Sequence, residues 1–135
     1  MRDIIQTVRK LDLFKTLSSA LEAADFSETL SGLGPFTFFA PTEEAFTKLP
    51  AQKYQEFLQN KWKLRKILAS HVMADRVTMV DIENMGLAKM IDEKIYDILV
   101  ENEGIMIDGA KIVRGDIVCS NGVIHGIDAF IISER

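Results

Sequence analysis

The stretch from Asp116 to Ile132 constrains this chain more than any other. Ile117-Val118-Cys119 is an apolar run of strand length, and Asn121-Gly122 follows it. Both of these residues tolerate positive φ, so the pair is the strongest short-range hairpin signal in the sequence. Val123-Ile124 opens a return strand. Ala129 to Ile132 is a further apolar run, rich in β-branched residues and without helical gaps, and is expected to be the last strand. Two residues are not demanded by a hairpin: His125 interrupts a β-branched strand, and Asp128 stands just before the final run. A polar group among apolar strands must find a partner or stay wet. His125, and His71 further up the chain, both lie beside apolar residues and are expected to be at least partly buried and neutral. One ring nitrogen of each would donate to a carbonyl or carboxylate, with Asp128 the nearest candidate for His125.

The rest of the chain divides by period. Asp3 to Leu11 reads as a short helix with Asp3 as N-cap, and Asp12 is expected to cap a second helix carrying Leu13, Phe14, Leu17, Ala20, Leu21 and Ala24. Phe26 to Leu33 reads as a brief third helix, ended by Gly32, Gly34 and Pro35. Phe36 to Ala40 is a strand rich in aromatics; Pro41 stops it and Thr42 caps the next helix, with Glu43 and Glu44 in its first turn. Ala51 to Leu58 and Lys61 to Ala69 are two more helices. From Val72 onward the pattern turns to β-formers: Val77 to Val80, Lys89 to Ile91, Ile95 to Val100, Ile105 to Ile107 and Ile112-Val113. The turn residues between them include Glu103-Gly104 and a second hairpin signal, Asp108-Gly109. The glycines at 104, 109, 115, 122 and 126 are expected at hairpin turns. Helices at the front and strands at the back predict an α+β class, with the helical half packed on a two-sheet, sandwich-like β wedge.

Bulk properties exclude several functions. A chain of 135 residues suits one domain, 1–135, able to bury a core without staples. A net charge of −4 argues against a nucleic-acid partner. The basic run Lys61, Lys63, Arg65 and Lys66 reads as a solvated helix face. One cysteine, Cys119, forbids an internal disulfide and reads as a buried small hydrophobe. No stretch has the length of a membrane span and no export leader is visible at Met1 to Gln6. Nucleophile elbow, Walker loop, zinc-type spacing and dinucleotide fingerprint are missing, so no catalytic residue, metal or cofactor is expected.

Asn121-Gly122-Val123-Ile124-His125-Gly126-Ile127-Asp128 resembles the closing signature of the fasciclin domain, a cell-adhesion module. Thr37-Phe38-Phe39-Ala40-Pro41-Thr42-Glu43-Glu44-Ala45-Phe46 resembles its opening signature, and Ile67-Leu68-Ala69-Ser70-His71-Val72 is a weaker third match. The resemblance implies the fasciclin fold, with Thr37, Pro41, Thr42, His71, Asn121, Gly122, His125 and Asp128 as motif residues. A tyrosine commonly precedes the family's histidine where this chain has Ser70. The resemblance also implies a non-enzymatic adhesion or protein-interaction module, extracellular or at the cell surface. Its partner would be an adhesion receptor or a matrix or cell-surface component. In animal members an Asp-Ile pair ahead of the closing signature is implicated in integrin recognition. Asp116-Ile117 stands in that place, and Arg114-Gly115 precede it, making Arg114, Gly115, Asp116 and Ile117 the candidate partner-binding segment. The structural alternative puts Gly115 at a bulge and gives Asp116 a local backbone hydrogen bond, with fold first and receptor second. A different class of function is a binding domain for a glycan or small apolar ligand, with Trp62, Phe57 and Tyr54 lining the pocket. An exposed aromatic platform would mark a glycan site; an exposed carboxylate on a rim would mark an adhesion site.

Overall fold

A computed structural model of the chain describes residues 1–102 and 104–131. Helices α1 (Ile4–Lys10), α2 (Lys15–Ala23) and α3 (Ser27–Leu30) precede strand β1 (Phe36–Pro41). Helices α4 (Glu43–Lys48), α5 (Ala51–Gln59) and α6 (Lys61–Ala69) follow, then β2 (Val72–Met73), α7 (Met79–Glu83), β3 (Leu87–Lys89), β4 (Ile95–Glu101), β5 (Gly104–Ile107), β6 (Ala110–Cys119) and β7 (Gly122–Ile127). The class is α+β, as the sequence predicts. The strands lie in one mixed row of seven, β2-β1-β7-β6-β5-β4-β3, in which β6 joins the parts expected as two sheets.

Local chemistry explains most boundaries. Asp3 caps α1 in a capping box with Gln6, and Thr42 caps α4 by accepting from the Ala45 amide. Asp12 does not cap α2; it begins a 3₁₀ turn, Asp12–Phe14, and the N-cap of α2 is Phe14, which makes no side-chain capping bond. The start of α2 is served from outside instead, by Glu43, whose carboxylate accepts from the Thr16 amide and from its hydroxyl at 2.9 Å. That places an anion at a helix N-terminus. Asp108-Gly109 form the β5–β6 hairpin turn with φ of 50° and 86°, as expected of such a pair. The β6–β7 hairpin also forms, but its turn residues are Ser120 and Asn121, because Cys119 pairs with Gly122. Gly122 stands inside the ladder because a Cβ there would collide with the Phe36 carbonyl oxygen. Gly126 likewise lies within β7 and not at a turn.

Three strand expectations are overturned. Val77 to Val80 is not a strand: Thr78 and Asp81 form a reciprocal capping box that starts α7 at Met79. β3 ends at Lys89, so Met90 and Ile91 fall outside it. Ala129 to Ile131 lie beyond β7 in no strand, and Ile132 and Glu103 lie outside the described residues.

The core lies on both faces of the central strands. β1 alternates, with Phe38 and Ala40 among the helix residues Ile4, Phe14, Leu17, Leu21, Phe57 and Leu68, and Phe39 among Ile82, Ile98, Ile107 and Ile127. Each fully buried phenylalanine contributes about 1.5–3 kcal/mol of burial. β7 pairs parallel to β1 from Phe36↔Gly122 to Pro41↔Ile127, and every residue of β7 is buried.

Candidate functional site

The candidate segment lies on β6, where its pairing with β7 breaks. Arg114 pairs with Gly126 and Ile117 with Ile124, so Gly115 and Asp116 stand opposite His125 alone. This is a two-against-one bulge, and Asp116 takes φ 55° in it. The bulge is held from two sides. The Asp116 amide donates to His125 Nδ1 at 3.0 Å, and Asp116 Oδ1 accepts from the Met79 amide at 2.9 Å. Gly115 is packed under Met79: a Cβ at Gly115 would lie 2.5 Å from Met79 Cγ and 2.6 Å from its sulfur. Arg114 and Asp116 are exposed and Ile117 is half-buried. An exposed base and an exposed acid therefore stand two residues apart, at a bulge fixed by hydrogen bonds from the Asp116 and Met79 amides to side chains.

His125 is fully buried, and its second nitrogen, Nε2, donates to the Val77 carbonyl at 2.7 Å. Nδ1 accepts, so the ring is the neutral Nε2–H tautomer. Asp128 is not its partner; that carboxylate accepts from the Lys111 amide at 2.9 Å and meets Lys48 Nζ at 3.3 Å. His71 is the mirror case. Nδ1 donates to the Ile67 carbonyl at 2.8 Å and Nε2 accepts from the Ile131 amide at 2.9 Å, which fixes the Nδ1–H tautomer. Phe130 stands edge-on to this ring with centroids 5.6 Å apart. Burial pushes the His71 pKa down to about 4, against a smaller upward pull from the Ile67 carbonyl and Asp92. Burial also lowers that of His125, against Val77 and Asp116. Both rings are buried and neutral, with both nitrogens engaged.

The other motif residues also meet backbone. Thr37 Oγ1 donates to the Asp75 carbonyl and accepts from the Val77 amide at 2.8 Å. Thr42 Oγ1 donates to the Ile127 carbonyl at 2.9 Å, and Pro41 is buried at the end of β1. The Asn121 side chain accepts from the Ile4 amide at 3.0 Å and donates to the Leu30 and Gly32 carbonyls at 2.8 and 2.9 Å. Ser70, where the resemblance expects tyrosine, donates to Asp92 at 2.5 Å.

Trp62, Phe57 and Tyr54 do not share a pocket. Phe57 is fully buried, Tyr54 is half-buried against Phe46, and Trp62 is 75% exposed. Cys119 is buried, and burial raises its thiol pKa. Sequence reading missed Val77 and Met79 as holders of the bulge. The available signal was Asp81 three residues after Thr78, a capping box that outweighs the β-formers Val77 and Val80. Among the described residues no helix is long and apolar enough to cross a membrane.

Comparison with known proteins matches residues 12–133 to the Fasciclin domain. Protein sll1483 of Synechocystis sp. is 37% identical over 131 residues, spanning 96% of this chain and 72% of that protein. Protein sll1735 of the same organism is 34% identical over 132 residues, spanning 98% of each. Among solved structures, a FAS1 domain pair from the insect cell adhesion molecule Fasciclin I superposes with a TM-score of 0.83 at 18% identity. That likeness covers 98% of this chain and 51% of the insect one.

Proposed function

The chain belongs to the fasciclin domain family, and on that premise we propose that it is a non-catalytic adhesion module that binds a protein partner through the bulge Arg114–Ile117. The partner is a receptor or a matrix or cell-surface component, and the place of action is extracellular or at the cell surface. The observation that carries this is the exposed pair of Arg114 and Asp116, presented on a bulge whose backbone is already fixed. A fixed display lowers the ordering cost of binding. The adhesion role is supported by the family and by its insect member, whose structure is described as that of a cell adhesion molecule. The non-catalytic role is supported by the histidines: both rings are buried and use both nitrogens on backbone groups, which leaves neither as acid, base or ligand.

Capture by the immobilised chain tests this. A cell-surface or matrix protein is expected to bind the native chain and to bind the Arg114→Gln variant at least about tenfold more weakly. Equal capture by both would remove the assignment to the bulge, and failure to capture any protein would remove the adhesion reading.

A further inference from the structure

Trp62 is the most exposed aromatic of the chain's described surface, and its indole is built into place. Arg65, one turn further along α6, lays its guanidinium over the Trp62 ring, 5.8 Å from the centroid. The same guanidinium lies 5.8 Å from the ring centroid of Phe26, which is buried. It is locked there by two backbone carbonyls at the end of α2, Ala24 at 2.9 Å and Asp25 at 2.7 Å. One indole face thus rests on a fixed cation, and three-quarters of the residue stays in water. Lys66, four residues on, shares its face of α6, and Lys61 and Lys63 flank it in sequence, on a helix that carries no acid in a chain of net charge −4. Lys61 meets Asp25 at 2.8 Å and Lys63 meets Glu56 at 3.7 Å, so the positive charge here is sparse.

We propose that Trp62, with Arg65 and the lysines of α6, is a stacking platform for an acidic polysaccharide of the uronate type. The C–H face of a sugar ring covers the open indole, and carboxylates spaced along the chain meet Lys66 and draw Lys63 away from Glu56. Sparse basic charge matches a polymer with about one charge per sugar better than a nucleic acid, which carries one charge per ~1.7 Å of duplex. An anionic bilayer is disfavoured because the apolar face of α6, Leu64, Ile67 and Leu68, is already buried in the core. The ring needs less ordering on binding, because Arg65 already rests against one face. This site is separate from the bulge on β6 and stands whether or not the bulge binds a protein.

Trp62 is the sole tryptophan, so indole fluorescence, excited where the two tyrosines do not absorb, reads this site alone. On titrating the whole chain with polygalacturonate, a saturable blue shift and protection from acrylamide quenching are expected, with no change on adding dextran. In affinity electrophoresis Trp62→Ala should bind polygalacturonate at least about tenfold more weakly, with an unaltered unfolding midpoint. Trp62→Phe should recover part of the binding. The double variant Lys63→Gln with Lys66→Gln should weaken binding severalfold and flatten its salt dependence. Arg114→Gln should leave it unchanged. An unmoved emission spectrum, undiminished binding by Trp62→Ala, equal binding to dextran, or tighter binding to phosphatidylserine vesicles than to polygalacturonate would each overturn the proposal.

Discussion

Two sets of polar residues divide the labour in this molecule. Along a buried seam lie Thr37, Thr42, His71, Asn121 and His125, each spending at least one hydrogen bond on a backbone group far away in sequence. On the surface lie Arg114, Asp116 and Trp62 with its basic neighbours, facing water. The seam residues replace ladder bonds where the backbone cannot supply them. Their loss leaves orphaned groups in a low-dielectric interior. The surface residues leave little behind when removed. A chain built this way should lose stability from one set and binding from the other.

Asn121→Ala is the hardest test of the seam. One side chain serves the amide of Ile4 and the carbonyls of Leu30 and Gly32, so its removal strands three backbone groups. A loss of about 3 kcal/mol or more is expected in urea unfolding. A loss of a few tenths would mean that the seam is not where stability resides.

The histidines sharpen the comparison through pH. His71 has a folded pKa of about 4 against an ordinary 6.5, so between these values the unfolded chain binds more protons. Stability from its burial is complete above about 6.5 and is lost as pH falls towards about 4, by on the order of 3 kcal/mol. His125 acts in the same direction. His71→Ala should therefore be less stable at neutral pH and show a flatter stability profile across this window than the native chain. An unchanged profile would show that the ring is not held neutral in the fold.

Much of this was legible. Caps at Asp3 and Thr42 and the Asp108-Gly109 turn follow from residue types and spacing, and the burial of His71 and His125 from their apolar neighbours and the family motifs that hold them. What stayed hidden is tertiary. Nothing local tells that β1 pairs parallel with β7, 86 residues away at Phe36↔Gly122. The partner of His125 was mistaken for Asp128, its neighbour in sequence, because bulge geometry turns the Asp116 amide inward instead. Ala129 to Ile131 has strand composition, yet it serves as a cover: Phe130 packs on Phe46 and His71, and the Ile131 amide is bound by a side chain.

The bulge stands between the two sets, since Asp116 is exposed but its carboxylate also holds the Met79 amide. Asp116→Ala should cost about 1–2 kcal/mol, from that bond and from the positive φ that Asp tolerates better. Asp116→Asn keeps an acceptor and the φ tolerance while removing the charge, so its unfolding midpoint should stay near native. If binding to the captured partner falls with Asp116→Asn, the charge belongs to recognition. If only Asp116→Ala loses binding, and loses stability with it, Asp116 is a structural residue that reaches the surface.

The smallest effect is the most telling. Arg114 is exposed beside the bulge, and its replacement orphans no buried group. Arg114→Gln should shift stability by no more than about 0.5 kcal/mol, the ordinary range for a surface change. Differential scanning calorimetry of native chain, Arg114→Gln and Trp62→Ala should then give three superimposable transitions, while partner capture separates the first variant and polygalacturonate binding the second. A drop in midpoint as large as that of His71→Ala, in either surface variant, would erase the division. The residue would then belong to the fold, and any lost binding would follow from lost structure.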